Sequence, residues 1–427
     1  MHLVSRPKAG VLAMALAASL MALPFAHADE APAVAPKGYD LTLLHPSQDH
    51  VSAAGLAIND KGHVVGVTRP TAKAQPQMSV VWHAGEDHPH ELGQLEGSQF
   101  SRPMAIGADD TIVGEAFDKS GSSIPVVWKG EAISALPSPN PNGRGVAWDV
   151  AGTTILATAH DGTRSVSYLT DGMTVNTLPE PTAPEGPTKG YTIRSMSPSG
   201  KWAAGIATIA VPHGDHAHDE RYLAVWHDDH WHTYATDSAL RVDPKEVNDS
   251  AMIIGDITRD GVTSAARISR GEANELASPK LEGFPHSTAN AVNNAGVVVG
   301  AATKVAGNYT FGGTAVAWFG DGVVDLNTLV ELPQGVVLQS AADVNERGQI
   351  VGTASTPSGQ VAFLLTPQDN DDPTDDPTSS PTDDPSSSPT DDPTSTPTGD
   401  STQEPTDRPR PTTSASVQRP GLPETGR

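Results

Sequence analysis

Ile58-Asn59-Asp60-Lys61-Gly62-His63-Val64-Val65-Gly66 decides the fold, because the phrase recurs along the chain. It returns as Val247-Asn248-Asp249-Ser250-Ala251-Met252-Ile253-Ile254-Gly255. It appears again as Val292-Asn293-Asn294-Ala295-Gly296-Val297-Val298-Val299-Gly300 and as Val344-Asn345-Glu346-Arg347-Gly348-Gln349-Ile350-Val351-Gly352. Weaker copies run Ile106 to Gly114, Trp148 to Leu156 and, with one extra residue, Met196 to Gly205. The seven copies close at positions 66, 114, 156, 205, 255, 300 and 352, in steps of 42 to 52 residues. That is the repeat length of four-stranded propeller blades. The chemistry of the phrase fits a hairpin: Asn and Asp bond their own backbone, and Gly takes the positive φ of a tight turn. The β-branched pair that follows suits a buried strand, and the closing Gly admits a close backbone approach.

Each unit has a third strand ending in a bulky residue, for example Val80-Val81-Trp82, Val126-Val127-Trp128, Ala224-Val225-Trp226 and Val316-Ala317-Trp318. Fourth strands follow six of the seven, and the seventh unit stops at Pro367. Tyr39-Asp40-Leu41-Thr42-Leu43-Leu44, ahead of the first unit, reads as the missing strand. Closing the ring with it removes two exposed sheet edges. The expectation is an all-β chain: a seven-bladed β-propeller over residues 39–367, sealed by its N-terminal strand. The alternative is a linear β-solenoid, whose shorter repeats need caps.

The ends read differently. Arg6 and Lys8 precede an apolar run from Val11 to Phe25, and Ala26-His27-Ala28 offers a small-x-small cleavage site. Residues 1–28 are therefore expected to be a signal peptide, cut after Ala28, since the run is short for a membrane span. Residues 368–421 are rich in Pro, Asp, Ser and Thr, with prolines every fourth residue from 373 to 397. Such composition cannot bury a core, and it predicts an extended disordered stalk. The chain has no cysteine, which excludes disulfides and thiol chemistry.

Its net charge is −24. The 13 acidic and 4 basic side chains after Pro367 contribute −9 and the leader +2, leaving −17 for residues 29–367. A surface of that sign disfavours nucleic-acid and anionic-membrane partners.

The Ile-Asn-Asp-x-Gly-x-Val-Val-Gly phrase and Ala362-Phe363-Leu364-Leu365 resemble the HAF-type extracellular repeats of bacterial surface proteins. The resemblance covers about residues 39–367 and implies export and a propeller, without catalytic residues. Residues 422–427 hold Leu422-Pro423-Glu424-Thr425-Gly426, which is similar to the Leu-Pro-x-Thr-Gly signal of sortase substrates in Gram-positive bacteria. That resemblance implies cleavage between Thr425 and Gly426 and attachment to peptidoglycan. The apolar tail that the family's signal carries does not follow here, so free secretion is the competing expectation.

One side-chain cluster stands out as chemistry. His213, Asp215, His216 and His218 mix imidazole and carboxylate within six residues, a donor set suited to zinc, copper or nickel. A solvated polar loop is the simpler account of the same residues. His83, His88 and His90 form a second, lesser group, and Asp109-Asp110 and Asp228-Asp229 read as turn residues. No nucleophile elbow, phosphate loop or zinc-protease motif occurs. The tryptophans at 82, 128, 226 and 318 share one repeat position and are expected to pack blades.

The expected function is a secreted or wall-displayed binding and adhesion module without catalysis. Its partner is an unidentified extracellular protein or glycan, and it needs no cofactor unless a divalent metal sits at the His loop. The alternatives are an extracellular glycan hydrolase or lyase on the same scaffold, and metal capture by the His-rich loop.

Overall fold

The computed structural model describes residues 33–368 apart from 71–76, 141, 161, 214–215, 238–239, 271 and 306–311. The signal segment, the tail and the sorting-type motif lie outside the described residues. Seven four-stranded antiparallel sheets follow one another around an axis. The innermost strands are His50–Ile58, Ser98–Ile106, Gly145–Ala151, Thr188–Met196, Arg241–Val247, His286–Val292 and Val337–Val344. Six sheets are built from consecutive strands. In the seventh, Tyr39–Leu44 is the outer strand and pairs antiparallel with Gly359–Pro367, Tyr39 opposite Pro367 and Leu44 opposite Ala362. The expected closure is what the structure has.

The core is divided. Seven apolar clusters each draw on two adjacent blades. Leu92 of blade 1 packs with Ile112 and Trp128 of blade 2, and Val351 and Ala362 of blade 7 pack with Val64 and Trp82 of blade 1. A blade is too thin to enclose a core by itself, so each buries its faces against its neighbours.

The repeated tryptophans add a polar latch. Trp82, Trp128 and Trp318 are buried, and their indole N–H groups donate to the carbonyls of His45, Gly93 and Ala277 at 2.8 to 3.0 Å. Each acceptor lies one or two residues past the outer strand of the preceding blade. Blade 4 differs: Trp226 is only half-buried, and Trp231 on the outer strand donates instead, to Pro179 at 2.6 Å.

The Asn of the phrase does two things. Its Oδ1 closes the turn, as where Asn59 accepts from the N–H groups of Lys61 and His63 at 3.1 Å. Its Nδ2 reaches the next blade. Asn248 donates to the Asn293 carbonyl, Asn293 to that of Asn345, Asn345 to that of Asn59, and Asn59 to that of Gly107, at 2.9 to 3.0 Å. These amides are buried, so each unmade bond would carry a desolvation penalty. The following residue runs a second track the opposite way. Asp60 accepts from the N–H of Glu346, Glu346 from that of Asn294, Asn294 from that of Asp249, and Asp249 from that of Ser199. The amide track stops where Gly107, Ala151 and Ser197 replace Asn, the three weak copies of the phrase.

The turn glycines Gly62, Gly200, Gly296 and Gly348 take positive φ, as expected. Blades 2 and 5 hold Asp110 and Ala251 at the corresponding place, also at positive φ. One alignment needs correcting. In blade 3 the turn is a residue shorter, since Ala151 pairs with Thr154. Ala157, not Leu156, therefore faces the inner-strand position that closing glycines face elsewhere.

Candidate functional site

Every inner strand carries a one-residue bulge, and all seven fall at one repeat position. The offsets leave Leu56, Met104, Trp148, Arg194, Lys245, Asn290 and Ala342 unpaired. All seven line the central channel. A bulge re-aims its side chain, which is why this position is recurrent at functional places. The ring is two-sided. Blades 1 to 3 present Leu56, Met104 and Trp148, whereas blades 4 to 6 present Arg194, Lys245 and Asn290. Lys245 is paired with Asp256 at 2.8 Å and bonds Asn290 at 3.1 Å.

The residue after each bulge faces the channel floor. Four are polar, and each accepts a backbone N–H from the next blade. Asp149 bonds Met196, Ser195 bonds Val247, Glu246 bonds Val292, and Asp343 bonds Ile58, at 2.6 to 3.0 Å. Asp149 and Asp343 also accept from Val150 and Val344 in their own strands. Burial pushes the Asp149 carboxyl up to about 7 and the Asp343 carboxyl up to about 6. Burial first, and then the charges of Asp343 and Asp149, lift Glu246 well above the usual carboxylate range. The two backbone donors at each aspartate pull the other way without offsetting desolvation.

This fixes a sign for pH dependence. A carboxylate whose native pKa is raised binds a proton that the unfolded chain has already lost, so stability falls as pH rises from about 4 to about 7. Asp110 and Asp249 are held low by hydrogen bonds, from Lys61, Asn59 and His63 and from Ser199, Ser197 and Asn294 respectively. Their contribution is lost only below the ordinary aspartate value and does not enter that window. The expected result is a Tm several degrees higher at pH 5 than at pH 8, with Asp149 contributing at most about 4 kcal/mol. Asp149→Asn should flatten the profile measured by scanning calorimetry. An equal slope in the variant would remove Asp149 as its origin.

The upper end of the channel, where the inner strands begin, opens sideways into a groove over blades 3 to 5. One cavity of about 420 Å³ is lined by Arg164, Lys189, Arg194 and Arg221 together with Asp219 and Asp243. A second, of about 390 Å³, runs on over blades 2 to 4 past Arg144 and Trp148. Ser165, Thr192 and Arg194 belong to both walls, so the two are one groove. The cations are partly matched. Lys189 pairs with Asp219 at 2.6 Å and Arg164 with Glu180, while Asp243 sits between Arg221 at 3.5 Å and Arg194 at 3.8 Å. The Arg194 guanidinium also lies 5.2 Å from the centre of the Trp148 ring. Arg221 is strained electrostatically. Burial, and then the nearby Arg241 and Arg194, hold its pKa below the ordinary arginine value against the pull of Asp243. Its Nε is buried with no hydrogen-bond partner among the described residues. The two cavity walls hold five cations, Arg144, Arg164, Lys189, Arg194 and Arg221, against two carboxylates, Asp219 and Asp243, in a chain of net charge −24.

The sequence-derived candidates sit elsewhere. The His tract forms the tip of a long hairpin, Trp202–His213 with His216–His227, so a strand pair stands where a loop was expected. His216 and His218 are exposed, and His218 Nε2 bonds Glu220 at 2.7 Å. Asp215 and the His213 side chain lie outside what is described. Among the described residues no three His, Asp or Glu side chains are placed to hold a metal ion. His83 lies 4.8 Å from His90 and 4.9 Å from His63, ring centre to ring centre, and His90 bonds Glu86. Asp228 and Asp229 form a two-residue turn between His227 and His230 at positive φ, as expected of turn residues. Among the described residues no helix is long and apolar enough to cross a membrane.

No protein-family model matches the chain, and no curated protein matches it. Solved propellers do resemble it in shape. The β-propeller domain of the Trilobed protease from Pyrococcus furiosus, described as having an open velcro topology, aligns with 76% of this chain and 100% of its own, at 10% identity and a TM-score of 0.47. YCF48 bound to D1 peptide aligns with 80% of this chain and 99% of its own, at 11% identity and a TM-score of 0.43. XC5397 of Xanthomonas campestris, a gluconolactonase, covers 78% and 96%, at 11% identity and a TM-score of 0.35.

Proposed function

We propose that this chain is a non-catalytic binding module of the bacterial exterior that takes its ligand in the groove over blades 3 to 5. The observation that carries the reading is the gathering of Arg144, Arg164, Lys189, Arg194, Arg221 and Arg241 into one sector of an acidic molecule. Like charges so grouped repel one another, and an arriving anion relieves that repulsion. The leader ending at Ala26 and Ala28, the HAF-type phrase and the Leu422–Gly426 motif support export, display on the tail and attachment to peptidoglycan, with secretion as the other route.

The hydrolase or lyase alternative draws on one observation, that Asp149, Glu246 and Asp343 face a common channel with raised pKa. Each is already engaged in binding one blade to the next, which favours a structural role. Metal capture by His213, Asp215, His216 and His218 is the third reading and would be independent of the groove. The test is a printed array of extracellular glycans and peptides, probed with the full chain, followed by incubation of each retained probe. Retention without new reducing ends or cleaved peptide is the expected result. Product formation on a retained probe would establish the enzyme reading instead.

A further inference from the structure

We infer that the groove recognises an acidic oligosaccharide, a chain of hydroxyl-rich rings bearing carboxylates, through Arg194 and Arg221. The inference rests on the groove reading above and names its ligand class. Three features carry it. First, the site is a trough: it runs continuously from Arg144 and Trp148 in blade 3 to Asp243 in blade 5, which suits a linear oligomer better than a single small anion.

Second, the cations alternate with carboxylates. Asp243 lies between Arg194 and Arg221, and Asp219 lies beside Lys189. A ligand carrying anions alone would meet these carboxylates unfavourably. An acidic sugar presents a carboxylate to a guanidinium and hydroxyl donors to the neighbouring carboxylates, which only accept. An acidic or phosphorylated peptide backbone carries no comparable row of hydroxyls.

Third, the remaining wall is polar and flat. Thr163, Ser165, Thr192 and Thr208 line it, and Trp148, with the Arg194 guanidinium over its ring, stands at its end.

The experiment is calorimetric titration of the full chain with hexamers of galacturonate, mannuronate and hyaluronan. The methyl esters of the same sugars and a hexaglutamate peptide serve as comparators. At least one free acid should bind ten-fold or more tighter than its ester and than the peptide, and its affinity should fall with added salt. Arg194→Gln and Arg221→Gln should each weaken it ten-fold or more, with Tm within a few degrees of the parent. Lys129→Gln, at the far end of blade 2, should leave it unchanged. Equal binding of acid and ester, tighter binding of hexaglutamate, binding to none of the three acids, or parental affinity in both arginine variants would each overturn the inference. Array retention of a neutral glycan or a peptide would leave the binding-module reading standing while the ligand class fell.

Discussion

A chain beginning at His45 is expected to lose the native ring. Tyr39–Leu44 supplies the outer strand of blade 7, and its Tyr39 and Leu44 side chains are 4% and 1% exposed. Removing it strips a six-residue ladder from Gly359–Pro367 and uncovers Phe363 and Leu365, which are fully buried in the intact protein. Loss of two large buried side chains costs about 2 to 5 kcal/mol each, and the ladder adds roughly 1 kcal/mol per bond. The total is comparable with the 5 to 15 kcal/mol by which whole domains are stable. The cut also removes the strand that leads to the His45 carbonyl, the acceptor of the Trp82 indole. Thermal unfolding followed by near-ultraviolet circular dichroism should show no cooperative transition at the parental temperature. Adding a peptide of residues 33–46 should restore part of the signal. A truncated chain melting with the parental Tm would show that blade 7 stands on three strands.

Gly352→Ala should cost about 3 to 5 kcal/mol, within the range of buried backbone clashes, and lower Tm by roughly 5 to 10 °C. The bulge of each inner strand drives a carbonyl onto the closing glycine of the second strand. At Gly352 an added Cβ would fall on the Ser340 carbonyl oxygen, far inside contact distance, and within 2.7 Å of the Phe363 ring. The same carbonyl approach recurs at Gly66, Gly114, Gly205, Gly255 and Gly300. Gly322→Ala is the control, because its Cβ would meet only the Phe319 carbonyl at 3.5 Å. Blade 3 carries Ala157 at this place and puts its tight approach at Gly145 instead, against the Thr158 carbonyl. An unchanged Tm for Gly352→Ala, measured beside Gly322→Ala, would mean that blade 7 relaxes as blade 3 has.

What could be read in advance was whatever repeats locally. The Asn-x-x-Gly turns set the blade count. The surplus strand at Tyr39–Leu44 and the missing one after Phe363 together implied closure. The buried tryptophans followed from their shared position, with Trp226 as the exception once Trp231 takes over its bond. The bulges were hidden, because a one-residue offset exists only between two paired strands. The same offset, with a shortened turn, displaced the blade 3 alignment by one. The groove was hidden for another reason. Arg144, Arg164, Arg194, Arg221 and Arg241 lie 20 to 30 residues apart, so each looks solitary, and the net charge of −24 points away from an anion site. The His tract drew notice through composition, and its Asp215 and the His213 side chain lie outside the described residues.

The seam between the two ends of the ring has a consequence for how the protein is made. Leu44 must meet Ala362, and Tyr39 must meet Pro367, so the earliest strand to be synthesised waits for the last. Contacts of such sequence separation form late, after the entropy of a loop as long as the whole ring has been surrendered. Until then the nascent polypeptide has an orphan strand at one end and an unfinished sheet at the other. The ring therefore locks only once its final blade has been made.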